Sequence, residues 1–312
     1  MKKYFKFIGT ALVAFLLLAG TVTVNDAMLA NRMMMGAAGV SKKFMTATGG
    51  TITTDGDYKI HTFLLADTGT DFTVTALGTD ATYGEIVDIL LIAGGAGGAS
   101  EGAGAGGGYI EQTGRVVAAQ AYPIVIGDGG AAATVGDDST GLGLTAKGGG
   151  YGGSAASSYL GGDGGSGGGG GGFDAVGGSE IQTSQGGDSG TYGFGNDGGK
   201  GFTAPTYAGG GGGGAGAAAV PDNTTTSRNG GAGKSSSITG ASVGRAGGGG
   251  GGAYDSAFGT ASDGGGVGGR QLTIPSSPSA GTPNTGGGGG GMWNAAGAAG
   301  GSGICVIRYK FQ

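Results

Sequence analysis

The sequence predicts an all-β protein: a small β-sandwich closed by flanking strands near both ends of the chain and extended by a large glycine-rich region. Three observations carry this expectation. Residues 86–92 and 304–309 are apolar, β-branched runs of strand length. Residues 58–63 alternate polar and apolar side chains with the period of a strand. Between the two apolar runs lie most of the chain's 86 glycines, including uninterrupted six-glycine runs at 167–172, 209–214, 247–252 and 286–291.

Residues 1–24 read as one N-terminal hydrophobic helix, either a signal peptide or a membrane anchor. Lys2, Lys3 and Lys6 precede an uncharged, mostly apolar stretch over 7–24. That stretch reaches the lower limit for a membrane span, while Ala19 and Thr21 supply small positions of the kind a signal peptidase needs. With the lysines inside, either reading sends the remaining chain out of the cytoplasm. Met28 offers an alternative start. Residues 25–48 read as a linker or docking segment, in which Met33, Met34 and Met35 are adaptable packing groups.

Residues 49–130 together with 301–312 are expected to form the sandwich scaffold. Asp55-Gly56 marks a turn before the alternating run 58–63, and 72–75 alternates over fewer residues. The run 86–92 is apolar almost throughout, as a strand covered on both faces would be. Residues 108–112, 115–117 and 122–126 add short strands, and Asp128-Gly-Gly130 a turn. The run 304–309 should pair with 86–92 and close the long segment between them, since closure cost grows only logarithmically with length. His61 is expected on a strand surface, and Cys305 as a small buried apolar group.

Residues 131–300 form the glycine-rich repeat. Its runs recur about 40 residues apart, the sign of stacked equivalent units. Composition alone, with 86 glycines and 6 prolines in 312 residues, argues for a flexible linker. Equal run lengths and bracketing strands argue instead for polyglycine II, an extended helix of about three residues per turn whose backbone groups bond to neighbouring helices. Each run would then span roughly 19 Å.

The composition excludes several functions. Charged residues are 12% of the chain, the formal net charge is −5, and the basic residues are scattered. Nucleic acid is therefore not an expected partner. A lone Cys305 excludes an internal disulfide. Residues 102–107 satisfy G-x-G-x-x-G, but Tyr109-Ile-Glu-Gln-Thr-Gly follows where a dinucleotide site needs a helix N-terminus. No carboxylate pair, metal-ligand cluster or catalytic triad has a persuasive spacing, so no enzyme, cofactor or metal is expected.

The segments between the runs carry most of the region's aromatic and polar side chains. Loops 173–208, 215–246 and 253–285 should emerge at the ends of a packed lattice. Phe173, Tyr192, Phe194, Asn196, Tyr207, Asp222, Tyr254, Phe258 and Trp293 are the candidate receptor-binding residues, because aromatics beside Asp, Asn and Ser suit a sugar- or protein-binding surface. The alternative is that these aromatics merely cap the lattice ends.

Entry through Val-Asp-Ile-Leu-Leu-Ile-Ala-Gly-Gly at 87–95 and exit through Gly-Gly-Ser-Gly-Ile-Cys-Val-Ile-Arg-Tyr-Lys at 300–310 resemble the glycine-rich domain of bacteriophage virion and tail-fibre proteins. Residues 237–250 also resemble a recurrent internal stretch of these domains. In architecture alone, the repeated runs are similar to the polyglycine II tail-fibre tip adhesins of T-even-like phages. The resemblance implies a surface-exposed virion protein that meets a host cell-surface receptor, either polysaccharide or outer-membrane protein, alongside other virion proteins. The N-terminal segment departs from that pattern and allows an exported or membrane-anchored protein touching the membrane through 1–24. Homo-oligomers are common among fibres, yet no heptad pattern enforces one here.

Overall fold

A computed structural model describes residues 44–154, 159–182, 193–203, 207–219, 228–272 and 274–312. The expected N-terminal helix at 1–24 lies outside these residues. Among them, no helix is long and apolar enough to cross a membrane. The described fold is all-β, its one helical element being a single 3-10 turn at Leu65–Asp67.

Strands β1 (Thr46–Thr48), β2 (Thr51–Asp55), β3 (Tyr58–Phe63), β4 (Asp71–Ala76), β5 (Ile86–Ile92), β6 (Tyr109–Val116) and β7 (Ala121–Pro123) precede the first glycine run. Further along come β8 (Ser139–Gly141), β9 (Leu144–Ala146), β10 (Gly193–Phe194), β11 (Lys234–Ser236), β12 (Val243–Arg245) and β13 (Ile304–Lys310). Asp55-Gly56 does turn the chain, joining β2 and β3 with Asp55 opposite Tyr58. The C-terminal strand lies at the middle of a six-stranded sheet ordered β10-β6-β5-β13-β3-β2. It is antiparallel to β5, with Ile304 opposite Ile92 and Arg308 opposite Asp88. Two strands separated by the whole glycine region, β5 and β13, thus close it at one base.

A three-stranded sheet, β1-β4-β7, shares a core with one face of this sheet. Phe72 and Val74 meet Ile89, Leu91, Cys305 and Ile307 there. On the opposite face, Ile60, Leu90, Ile92, Ile304 and Val306 pack with Ala215, Ile238 and Ala246 from the glycine region. Both faces of β5 are covered, which explains why its sequence is apolar without alternation. Cys305 is fully buried, and burial pushes its thiol pKa up. It is inert packing.

His61 corrects an expectation. Alternation suggested a strand surface, but the three-stranded sheet covers that side of β3 and leaves the ring fully buried. Its Nδ1–H donates to the Gly49 carbonyl at 2.7 Å, and its Nε2 faces the Tyr309 hydroxyl at 3.4 Å. The ring also stands edge-on to Phe72, with centroids 5.1 Å apart. Burial holds its pKa below the usual 6.5, against the opposing Gly49 hydrogen bond, and Lys59 lowers it further.

The glycine region is a lattice of extended segments, and its axis is residues 101–108. Each residue from 102 to 108 donates in one of three directions, repeating every third residue. Gly102, Ala105 and Gly108 donate to Gly153, Gly150 and Lys147. Ala103 and Gly106 donate to Gly210 and Gly213, and Gly104 and Gly107 to Gly289 and Gly286. The carbonyls accept from three other sides: Ala93, Ala96 and Ala99; Ser166 and Gly169; Gly249 and Gly252. All four glycine runs therefore bond directly to this one segment. Asp128-Gly-Gly130 is not a turn but a lattice strand, Gly130 N–H donating to Gly95 and its carbonyl accepting from Gly300.

Glycine is needed here for close approach more than for unusual dihedrals. A Cβ on Gly104 would lie 2.1 Å from the Ala96 carbonyl oxygen, and one on Gly249 would lie 2.2 Å from that of Gly289. Gly249→Ala should consequently destabilise the protein by about 3 kcal/mol or more, measured by chemical denaturation. A flexible linker would give the opposite sign, a gain of about 0.4–1 kcal/mol from a stiffer unfolded chain.

The buried imidazole supplies a second check. A lowered folded pKa means that the unfolded chain protonates first, so His61's contribution is fully present above about pH 6.5 and falls away in more acidic solution. Its imidazole resonance, the only one in the chain, should titrate below 6.5. A midpoint at or above that value would contradict the buried neutral ring.

Candidate functional site

The hydrogen bonds between runs fix their directions. Gly210 and Gly213 donate to Gly170 and Gly167, and Gly209 and Gly212 to Gly252 and Gly249, so the second run is antiparallel to the first and third. Gly288 and Gly291 donate to Gly247 and Gly250, making the fourth parallel to the third. The first, third and fourth runs end where the second begins. Glu101, at the start of the axis, lies at that same end, its carbonyl accepting from Gly252.

An aromatic residue stands beside each run there: Phe173 and Trp293 after the first and fourth, Tyr254 after the third, Tyr207 before the second. These four side chains converge. Trp293 lies 6.0 Å from Tyr207, 6.2 Å from Tyr254 and 6.3 Å from Phe173 between ring centroids. Tyr159 adds a fifth ring 5.3 Å from Phe173. With Glu101 and Asn294 they line a cleft of about 450 Å³, within the size range of small-ligand sites.

Glu101 is the carboxylate of this cleft and only 1% exposed. Its Oε2 accepts a hydrogen bond from Gly172 N–H at 2.7 Å, and among the described residues it has no cationic partner. Burial raises its pKa above the ordinary 4.5, partly offset by the Gly172 hydrogen bond. Three lining residues hold left-handed backbone, Phe173 at φ 63°, Tyr207 at 26° and Asn294 at 50°, conformations that cost energy for side-chain-bearing residues and concentrate at binding sites.

Of the nine predicted receptor residues, Phe173, Tyr207, Tyr254 and Trp293 come together in this cleft. Phe194 does not: it is in β10, opposite Tyr109, with its ring 6.0 Å from that tyrosine's. Asn196 donates from Nδ2 to the Gly214 carbonyl and holds the lattice. Phe258 packs against Phe202, Ala208 and Ala253. Tyr192 and Asp222 lie outside the described residues. Glu101, Tyr159 and Asn294 were missed. For Glu101 a signal existed, since it is the sole charge between Asp88 and Glu111.

Among the described residues no group of three His, Cys, Asp or Glu side chains could hold a metal ion. The cleft offers aromatic rings, one buried carboxylate and one side-chain amide.

Glu101's folded pKa is raised, so ionising it costs stability as pH climbs through that value. Glu101→Gln keeps an oxygen acceptor for Gly172 N–H and removes the charge. Thermal unfolding should show the variant gaining stability at pH 7, with the gain disappearing below pH 4.5; equal stability of the two proteins at both pH values would exclude a buried ionisable carboxylate.

A family model described as a glycine-rich domain matches residues 68–310. No curated protein matches the chain.

Proposed function

The chain belongs to the glycine-rich domain family, and on that premise we propose that it is a non-enzymatic adhesin exposed on a virion, binding a host-surface receptor at the aromatic end of its lattice. The single observation that carries this reading is the convergence of Phe173, Tyr207, Tyr254 and Trp293, one beside each run, on one cleft. The two sheets act as a sandwich scaffold, and the lattice, read as polyglycine II, as a rigid spacer. A polysaccharide or an outer-membrane protein is the receptor class such a surface serves. Attachment to other virion proteins then belongs to the opposite, sheet-bearing end.

A second reading is a surface protein held at a membrane through residues 1–24, without a receptor. The lysines followed by an uncharged stretch at 7–24 favour it.

Fluorescently labelled full-length protein should bind susceptible cells saturably and strain-specifically, with excess unlabelled protein competing. Phe173→Ala, at a ring half exposed to solvent, should weaken this binding about tenfold or more while leaving the unfolding transition nearly unchanged. Absence of saturable binding by the folded protein would favour the anchored structural role.

A further inference from the structure

We propose that the cleft binds a quaternary ammonium group, presented as a choline-type substituent on a host-surface polymer. The inference takes its location from the receptor-binding reading and adds the chemistry of the ligand.

Geometry favours a cation over a sugar ring. Phe173, Tyr207 and Trp293 form a near-equilateral triangle with centroid separations of 6.0 to 6.3 Å. Their planes are inclined to one another by 44 to 63°, so the three rings do not combine into one flat platform. A group seated over the triangle can stand about 5 Å from all three centroids, the distance at which a ring face attracts a cation. Tyr254 continues the wall, its ring 6.3 Å from that of Tyr207.

Charge points the same way. The cleft's ionisable carboxylate, Glu101, is buried with one backbone hydrogen bond and no cation beside it among the described residues. A buried carboxylate without a counter-charge is costly, and a bound ammonium would supply one. An alkylated ammonium suits the remainder of the lining, because its methyl groups need no hydrogen-bond acceptors and pack against aromatic faces. A neutral sugar would instead require several directed donors and acceptors, and Asn294 with the tyrosine hydroxyls is a sparse set for that purpose.

Trp293 is the chain's only tryptophan, so its fluorescence reports occupancy of the cleft directly. Titrating the full-length protein with choline should change this emission saturably. The neutral isostere 3,3-dimethyl-1-butanol should bind about tenfold more weakly or worse. Glu101→Gln, expected to fold, should lose about tenfold in choline affinity. Tyr254→Leu removes one half-exposed ring without touching the lattice and should weaken binding severalfold.

No response to choline, or an equal response to the isostere, would overturn the proposal. Cell binding that persists in excess choline would also overturn it while leaving the adhesin reading intact. A choline response in a protein that binds no cells would keep the ammonium site and remove the adhesin role. Capture by phosphatidylcholine vesicles would overturn the assignment to a polymer.

Discussion

Backbone-to-backbone hydrogen bonding between chains stripped of side chains is the interaction on which everything else depends. A buried peptide group must find a partner, and in a helix or sheet it finds one within its element or beside it in the plane. In this lattice the directions are spread around the axis. Ala103 bonds to Gly210, Gly104 to Gly289 and Ala105 to Gly150 in succession, so the segment 101–108 is satisfied only when neighbours surround it on every side. Ordering glycine costs more backbone entropy than ordering any other residue. Cooperative satisfaction of both peptide groups, in a space too tight for a Cβ, is what offsets that cost. The sheets contribute the other half: the axis runs directly into β6, and β13 receives the chain back, which holds the lattice in register with a conventional apolar core.

A lattice without side chains has no chemistry along its length. Whatever recognition it supports must occur where the glycines stop. Runs of equal length that share an axis stop at the same level, and this brings Phe173, Tyr207, Tyr254 and Trp293 together although more than a hundred residues separate the first from the last. The loops that carry these residues are tied to rigid segments on their lattice side and free to vary on the other. Such an arrangement lets sequence change at the rim without disturbing the fold, as it does for loops on other rigid scaffolds.

The strands were legible because they obey ordinary rules. Alternation bounds 58–63 and apolarity bounds 86–92, and the shared composition of 304–309 and 86–92 points to their pairing. Residues 108–112 and 115–117 looked like two strands and are one, β6, with Gly114 at φ +70° between them. The lattice axis was hidden for a different reason. Residues 102–107 imitate a phosphate-binding motif, and with no alternation or apolar run nothing local marks them as the centre of a three-dimensional array. Phe194 and Asn196 looked like exposed loop residues because their partners, Tyr109 and the Gly214 carbonyl, are distant in sequence or carry no side chain. His61 was misplaced because one alternating strand cannot reveal that a second sheet lies over its polar face.

Glu101 bears most on whether the aromatic end is a cap or a site. A cap has only to cover the apolar rim and to satisfy the last unpaired peptide groups or leave them to water. Glu101 does satisfy one such group, Gly172 N–H, but an uncharged side chain with an oxygen acceptor would do so without the desolvation penalty that raises its pKa. Two further costs accumulate at the same place: Phe173 and Tyr207 hold positive φ, and Phe173 keeps 51% of its surface exposed where an efficient cap would bury it. Each departure lowers the stability of the empty protein, and together they line one cleft. A carboxylate with no counter-ion among the described residues, beneath rings held partly open, is better suited to receiving a cation than to sealing a lattice.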